Sequence, residues 1–450
     1  MRFRTFLAGC LGGLLSLNSC TNSPDITDYA AYVNPFIGTG GHGHTFPGAI
    51  LPHGMISPSP DTRIDGWDAC SGYYYADSTI NGFSHTHLSG TGCCDYGDVL
   101  LMPTVGEQKY LPTGSQSQKM AYASSFSHQN ETAEPGYYSV FLDTYQVKAE
   151  LTATKRAAIH RYTFPESREA GFILDFDYSL QRQTNKEMEI EVISPTEICG
   201  RKKTMYWAFD QYINFYAKFS KPFTYTLVTD SMALDEGGKL LPTCKALLHF
   251  NTAKDEQVFV KVGISAVDIE GARKNVEAEI PDWDFDGVRK EARKAWNKTL
   301  SKIDITTNDK DDKTIFYTAL YHTAVSPNLF TDVDGRYLGM DLQVHQGDTL
   351  NPMYTIFSLW DTFRALHPLM TIIDPDLNND FIRSLIKKQQ EGGIFPMWDM
   401  ASNYTGTMIG YHAVSVIVDA YMKGDRNFDI QEAYRACVRA AEYDTTGIKC

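Results

Sequence analysis

Residues 213–219 read INFYAKF and residues 257–264 read QVFVKVGI. In the first, Ile213, Phe215, Ala217 and Phe219 fall on alternate positions; in the second, Val258, Val260, Val262 and Ile264 do. Side chains that alternate with a period of two mark a strand with one buried face. Val140 and Leu142, followed by Val147, Ala149 and Leu151, predict a neighbouring pair of strands. Turn residues such as Glu134-Pro135-Gly136 and Glu236-Gly237-Gly238 separate such runs. Many strands with no helical period between them predict an antiparallel β-sandwich over residues 25–282.

The pattern then changes. Residues 284–303 (DFDGVRKEARKAWNKTLSKI) are helix formers without proline, acidic first and basic last, as a capped helix would be. Further helices are expected near 309–325, 359–373, 377–391, 407–423 and 429–442, with Lys423-Gly424 as a helix end. Aromatic and acidic residues collect in the connections, as in a helical-toroid enzyme. Six helices would make half of a closed double ring of twelve.

Over 450 residues, 43% are hydrophobic and 21% charged, with a formal net charge of −14. That suits two or three globular domains, and without a lysine or arginine run it argues against nucleic acid as a partner. The basic start MRFR, a short apolar run and Leu17-Asn18-Ser19-Cys20 read as a secretory signal over residues 1–20. A small-residue site ending in cysteine predicts lipidation of Cys20. The expected location is that of an exported bacterial lipoprotein, periplasmic or on the outer-membrane surface, touching the membrane by its lipid anchor only. Nine cysteines in a chain this long are not the dense framework of a small disulfide scaffold.

Two segments invite a metal reading. FSHTHLSGTGCCDYGD (83–98) holds two histidines and two cysteines, but adjacent cysteines face opposite ways on a strand and its three glycines suit a tight loop. It is expected to be a shaped structural or substrate-lining loop. NPFIGTGGHGHTFPGAILPHGMISPSP (34–60) carries His42, His44 and His53 in a stretch with a glycine-rich part that lacks the lysine of a phosphate loop. Three Trp–carboxylate pairs point instead to sugar. A pyranose offers an apolar face and a polar rim, which an indole and a carboxylate match. These pairs are Trp67 with Asp68, Trp360 with Asp361, and Trp398 with Asp399; Arg364 lies four positions after Trp360.

GTGGHGHTFPGA (38–49), GFSHTHLSGTG (82–92), SLWDTFRA (358–365) and MIGYHA (408–413) together resemble glycoside hydrolase family 92, the calcium-dependent α-mannosidases. The resemblance runs from about Val33 to the last residue. It implies a β-sandwich packed on an (α/α)6 barrel, and removal of terminal α-linked mannose, most often α-1,2, with inversion and with Ca2+. Mannose-containing glycans would be the partners, and Trp67, Trp360, Asp361 and Arg364 would line the mannose pocket. The family's acid and base segments do not occur in these residues. The expectation is therefore an incomplete barrel over 283–450 and no catalytic pair within the chain. A non-catalytic glycan-binding lipoprotein or an inactive fragment is the alternative.

Overall fold

The computed structural model describes residues 27–110, 119–182, 184–229, 232–234 and 240–442. Cys20 and the signal segment lie outside them. Two antiparallel sheets face each other. The smaller runs Ser59–Asp61, Gly82–Ser84, Leu100–Val105, Ser167–Asp175, Lys245–Thr252, Thr224–Val228 in spatial order. The larger runs Thr184–Ser194, Glu197–Met205, Gln211–Phe219, Glu256–Ser265, Ala157–Phe164, Val147–Ala153, Tyr137–Leu142, Glu131–Glu134. Phe215 pairs with Ile264 and Ala217 with Val262, so the two opening runs are neighbours in one ladder. Leu142 pairs with Val147, the second expected pair.

All the alternating residues named above lie in one core between the sheets, with Phe83, Leu101, Phe172 and Leu248 from the opposite layer. Phe172 is its hub. Its ring lies 5.0 to 5.6 Å from those of Tyr162, Phe164, Phe219 and Phe250.

Among the described residues eight helices follow: α1 (Ile269–Glu279), α2 (Phe285–Leu300), α3 (Lys310–Thr323), α4 (Leu359–Thr362), α5 (Leu366–Ile373), α6 (Pro375–Gly392), α7 (His412–Lys423) and α8 (Ile430–Glu442). The first was not anticipated from sequence. Asp268 caps it by accepting from the Gly271 amide at 2.6 Å, and Ala272 and Val276 bury against Tyr216 and Ile159 on the outer face of the larger sheet. The expected helix over 359–373 is two helices. Pro368 has no amide to donate, and its ring would collide with the Arg364 carbonyl, so the chain breaks between α4 and α5. Gly424 ends α7 at φ +92°, as expected for a glycine cap.

Helices α6, α7 and α8 share a core of Phe381, Leu385, Val416, Ile417 and Ala433. The N-terminal segment binds the two parts together. Ala30, Phe46 and Ile50 pack on Trp296, Leu320 and Tyr321, and the Trp296 Nε1–H donates to the Ile50 carbonyl at 2.6 Å. A β-sandwich followed by helices of the (α/α)6 kind is the architecture. No helix among the described residues is long and apolar enough to cross a membrane.

Phe172→Ala should cost about 3–5 kcal/mol of stability by chemical denaturation, because the four surrounding aromatic rings cannot close over the hole. Ile193→Ala, half in solvent on the larger sheet, should cost under about 0.5 kcal/mol.

Candidate active site

The loops after the first strands bring Trp67 to the surface. Its ring is 57% exposed, and it lies directly on Gly92, where a Cβ would stand 2.6 Å from the indole. Trp67 Nε1–H donates to His42 Nδ1 at 3.0 Å, and the buried His44 ring meets Trp67 edge-on at 4.8 Å between centroids. Asp68 is half-buried, with Arg63 at 3.6 Å; the Arg63 guanidinium is itself anchored on Asp77 at 2.8 Å. Trp67 and Asp68 thus form one exposed patch on the sandwich.

A second patch stands at the start of α4. Trp360, Asp361 and Arg364 are all exposed. The Arg364 guanidinium lies 4.6 Å from the Trp360 ring centroid and donates to the Trp360 carbonyl at 2.8 Å. Ser358 Oγ donates to Asp361 Oδ2 at 2.5 Å, which holds the carboxylate at the first turn.

Trp398 and Asp399 lie behind this surface. Trp398 is 2% exposed and its indole donates to Ser358 Oγ at 2.6 Å. Asp399 is fully buried, 2.8 Å from Lys388 Nζ, and accepts from Thr355 Oγ1 and the Phe357 amide. Both are closed to a ligand in this geometry, and both hold the segment that carries Trp360.

A residue that the sequence reading missed joins the two patches. Trp207 follows the strand Glu197–Met205 and packs on Trp398 with ring centroids 4.2 Å apart and a 38° tilt, while its indole donates to Thr407 Oγ1. The Trp207 and Ala208 amides donate to Asp95, and Cys94 donates from Sγ to the Gly66 carbonyl beside Trp67. One run of contacts therefore connects Trp67 to Trp360. The only signal for Trp207 was an aromatic pair, Tyr206-Trp207, in a hairpin turn. The cavity between the parts, lined by His87, Tyr96, Gln211 and Thr355, is about 40 Å³, room for water and not for a sugar ring.

The loop 83–98 is held in shape by its own buried hydrogen bonds. His85 donates from Nδ1 to the Val99 carbonyl and its Nε2 lies 3.1 Å from His160. His87 donates from Nδ1 to Ser57 and its Nε2 lies 2.8 Å from Asp61. Asp98 pairs with Lys202 at 2.8 Å. Both ring nitrogens of each histidine are taken, so neither is free for a metal. Burial pushes Asp95 up to about 7.

Calcium takes six to eight oxygens. Among the described residues, the only three metal-capable side chains that converge are His42, His44 and Asp68, a nitrogen-rich set. The described residues do not fit calcium.

Sandwich, helices and exposed Trp–acid patches define a chain of the glycoside-hydrolase class. Residues 32–265 match the model of the glycosyl hydrolase family 92 N-terminal domain, and residues 271–449 that of its catalytic domain. The chain belongs to glycosyl hydrolase family 92. It superposes on a family GH92 α-mannosidase of Bacteroides thetaiotaomicron with a TM-score of 0.88 and 37% identity, over 94% of this chain and 58% of that one. That mannosidase is also solved in complex with mannoimidazole. A family GH92 inverting mannosidase of the same organism matches with a TM-score of 0.79 and 30% identity, over 91% and 55% of the two chains. An uncharacterized secreted glycosidase of Arthroderma benhamiae is 26% identical over 93% of this chain and 52% of its own. The chain therefore spans about half the length of that relative.

Two outcomes test this assembly. Lys388→Met leaves Asp399 buried without its cation and should cost about 3–5 kcal/mol, part of it regained when Asp399→Asn is added, by urea denaturation. Burial pushes His53, His85 and His367 down to about 4. An unfolded histidine titrates near 6.5. The unfolded chain therefore binds more protons between those values, and stability present above about pH 6.5 is lost as pH falls toward 4, by up to about 3 kcal/mol per histidine. The melting temperature should drop over that window, and His85→Asn should flatten the drop; an unchanged slope would contradict the assignment.

Proposed function

We propose that this chain serves the removal of terminal α-linked mannose from glycans, α-1,2-linked by preference, with inversion and with a requirement for Ca2+. The observation that carries this reading is the placing of two exposed tryptophans, each beside a carboxylate, on one connected framework in a family that includes solved mannosidases.

Trp67 and Trp360 would lie against the apolar faces of sugar rings. Asp361 and the Arg364 guanidinium would bond mannose hydroxyls, the carboxylate as acceptor and the guanidinium as donor. Arg364 is already pre-set over Trp360, so little side-chain freedom remains to be lost on binding. Asp68 would meet the neighbouring sugar. Trp398, Asp399 and Lys388 would keep the Trp360 segment in place without touching the ligand.

Inversion needs two carboxyl groups far enough apart to admit a water, one to protonate the leaving oxygen and one to activate that water. We assign neither role to a described residue: Asp361 is held by Ser358 and Asp399 by Lys388. We propose that the acid and base, with the oxygen ligands of Ca2+, come from residues other than these 450. The apolar side chains of Ile372, Met422 and Tyr434, exposed on α5, α7 and α8, would pack against that further structure. Export and a lipid anchor on Cys20 complete the proposal, in keeping with a relative described as a secreted glycosidase.

The test is an assay of the 450-residue chain, and of a C-terminally extended relative, on α-1,2-mannobiose with and without chelator. Turnover is expected only from the extended chain without chelator. Turnover by the short chain, or chelator-resistant turnover by the long one, would refute the corresponding part. In the extended chain, alanine at the positions of Trp67 or Trp360 should raise KM by about tenfold through the lost stacking surface.

A further inference from the structure

His42, His44 and Asp68 each offer one ligand atom, and all three atoms lie within 4.8 Å of one another. Their hydrogen bonding leaves lone pairs facing lone pairs. An indole N–H only donates, so His42 Nδ1, which takes the Trp67 N–H at 3.0 Å, carries no proton. Asp68 Oδ1 stands 3.4 Å from that same nitrogen, and it is buried with no hydrogen-bond donor. The His44 ring is hydrogen-bonded to the backbone of Thr91, while its Nε2 is buried without a partner. A neutral imidazole that donates through one nitrogen presents a lone pair on the other. Arg63 offsets part of the Asp68 charge, but it does so at the other oxygen, Oδ2, 3.6 Å away.

Three unprotonated donors turned toward one point are what a cation needs. We propose that His42, His44 and Asp68 form a binding site for a divalent transition ion of the zinc type, distinct from the family's calcium. Metal–ligand bonds of about 2.0–2.2 Å at a tetrahedral angle put neighbouring ligand atoms about 3.4 Å apart. The His42 Nδ1 to Asp68 Oδ1 distance is 3.4 Å. Rotation of His42, whose side chain is 76% exposed, adjusts its nitrogen toward the other two ligand atoms, all three already within 4.8 Å of one another. Two imidazoles and one carboxylate select zinc, cobalt or nickel over calcium or magnesium, which prefer oxygen alone. The fourth position of a tetrahedron faces solvent beside Trp67. An ion that takes the His42 Nδ1 lone pair also takes the acceptor of the Trp67 N–H, so occupancy and the setting of that indole are coupled.

The decoys are the thiols nearby, Cys93 and the buried Cys70 and Cys94. Zinc titration of the reduced 450-residue chain, by calorimetry in calcium-containing buffer, should show one equivalent bound. Asp68→Asn and His44→Gln should each weaken it by about tenfold or more. His42→Gln, at an exposed position that the fold does not depend on, should do the same, so the test stands even if His44→Gln misfolds. Cobalt in place of zinc should give weak visible bands without a thiolate charge-transfer band. No binding, binding unaffected by His42→Gln, or a thiolate band would each overturn the proposal.

Discussion

The central strands of the larger sheet are buried on both faces, and the rest of the molecule is arranged around that constraint. On the inner face Phe215, Val260 and Tyr162 meet the smaller sheet. On the outer face Tyr216, Ile159 and Ala157 meet α1 and the start of α2. A sheet covered on both sides cannot slide its register without exposing one apolar set or the other. That rigidity lets the sandwich serve as a fixed wall, with the N-terminal segment clamped onto α2 and α3 through Trp296.

Much of this was legible in the sequence because strands with one packed face write their pattern in alternate letters. Ile213 to Phe219 and Val258 to Ile264 are such strands, and they proved to be neighbours. The misses have physical causes. Helix α1 is rich in charge and has few apolar positions, so its period is faint; what fixes it is the Asp268 cap and the sheet beneath. The break between α4 and α5 was visible in Pro368, whose steric demand falls four residues upstream rather than at the proline itself.

The site was readable in part, and the division is instructive. Tryptophan beside a carboxylate is the same two letters whether exposed or buried. Trp67 and Trp360 stand in solvent, whereas Trp398 is covered by Trp207, a residue nearly two hundred positions away. Nothing local distinguishes Asp361 from Asp399; the difference is Lys388, one layer below. The histidines divide in the same way. His85 and His87 look most like ligands in the sequence and are fully committed to the fold, while His44 keeps an unpartnered Nε2 and His42 is tied only to the exposed Trp67.

The contact of Trp67 with Gly92 has a consequence for how these loops can change over time. A side chain at position 92 has no space while an indole rests there, and an indole has no seat if position 92 grows. The two positions, 25 residues apart, are under one shared steric rule. A larger residue at 92 and an indole at 67 exclude each other, so a change at one position has to be met at the other.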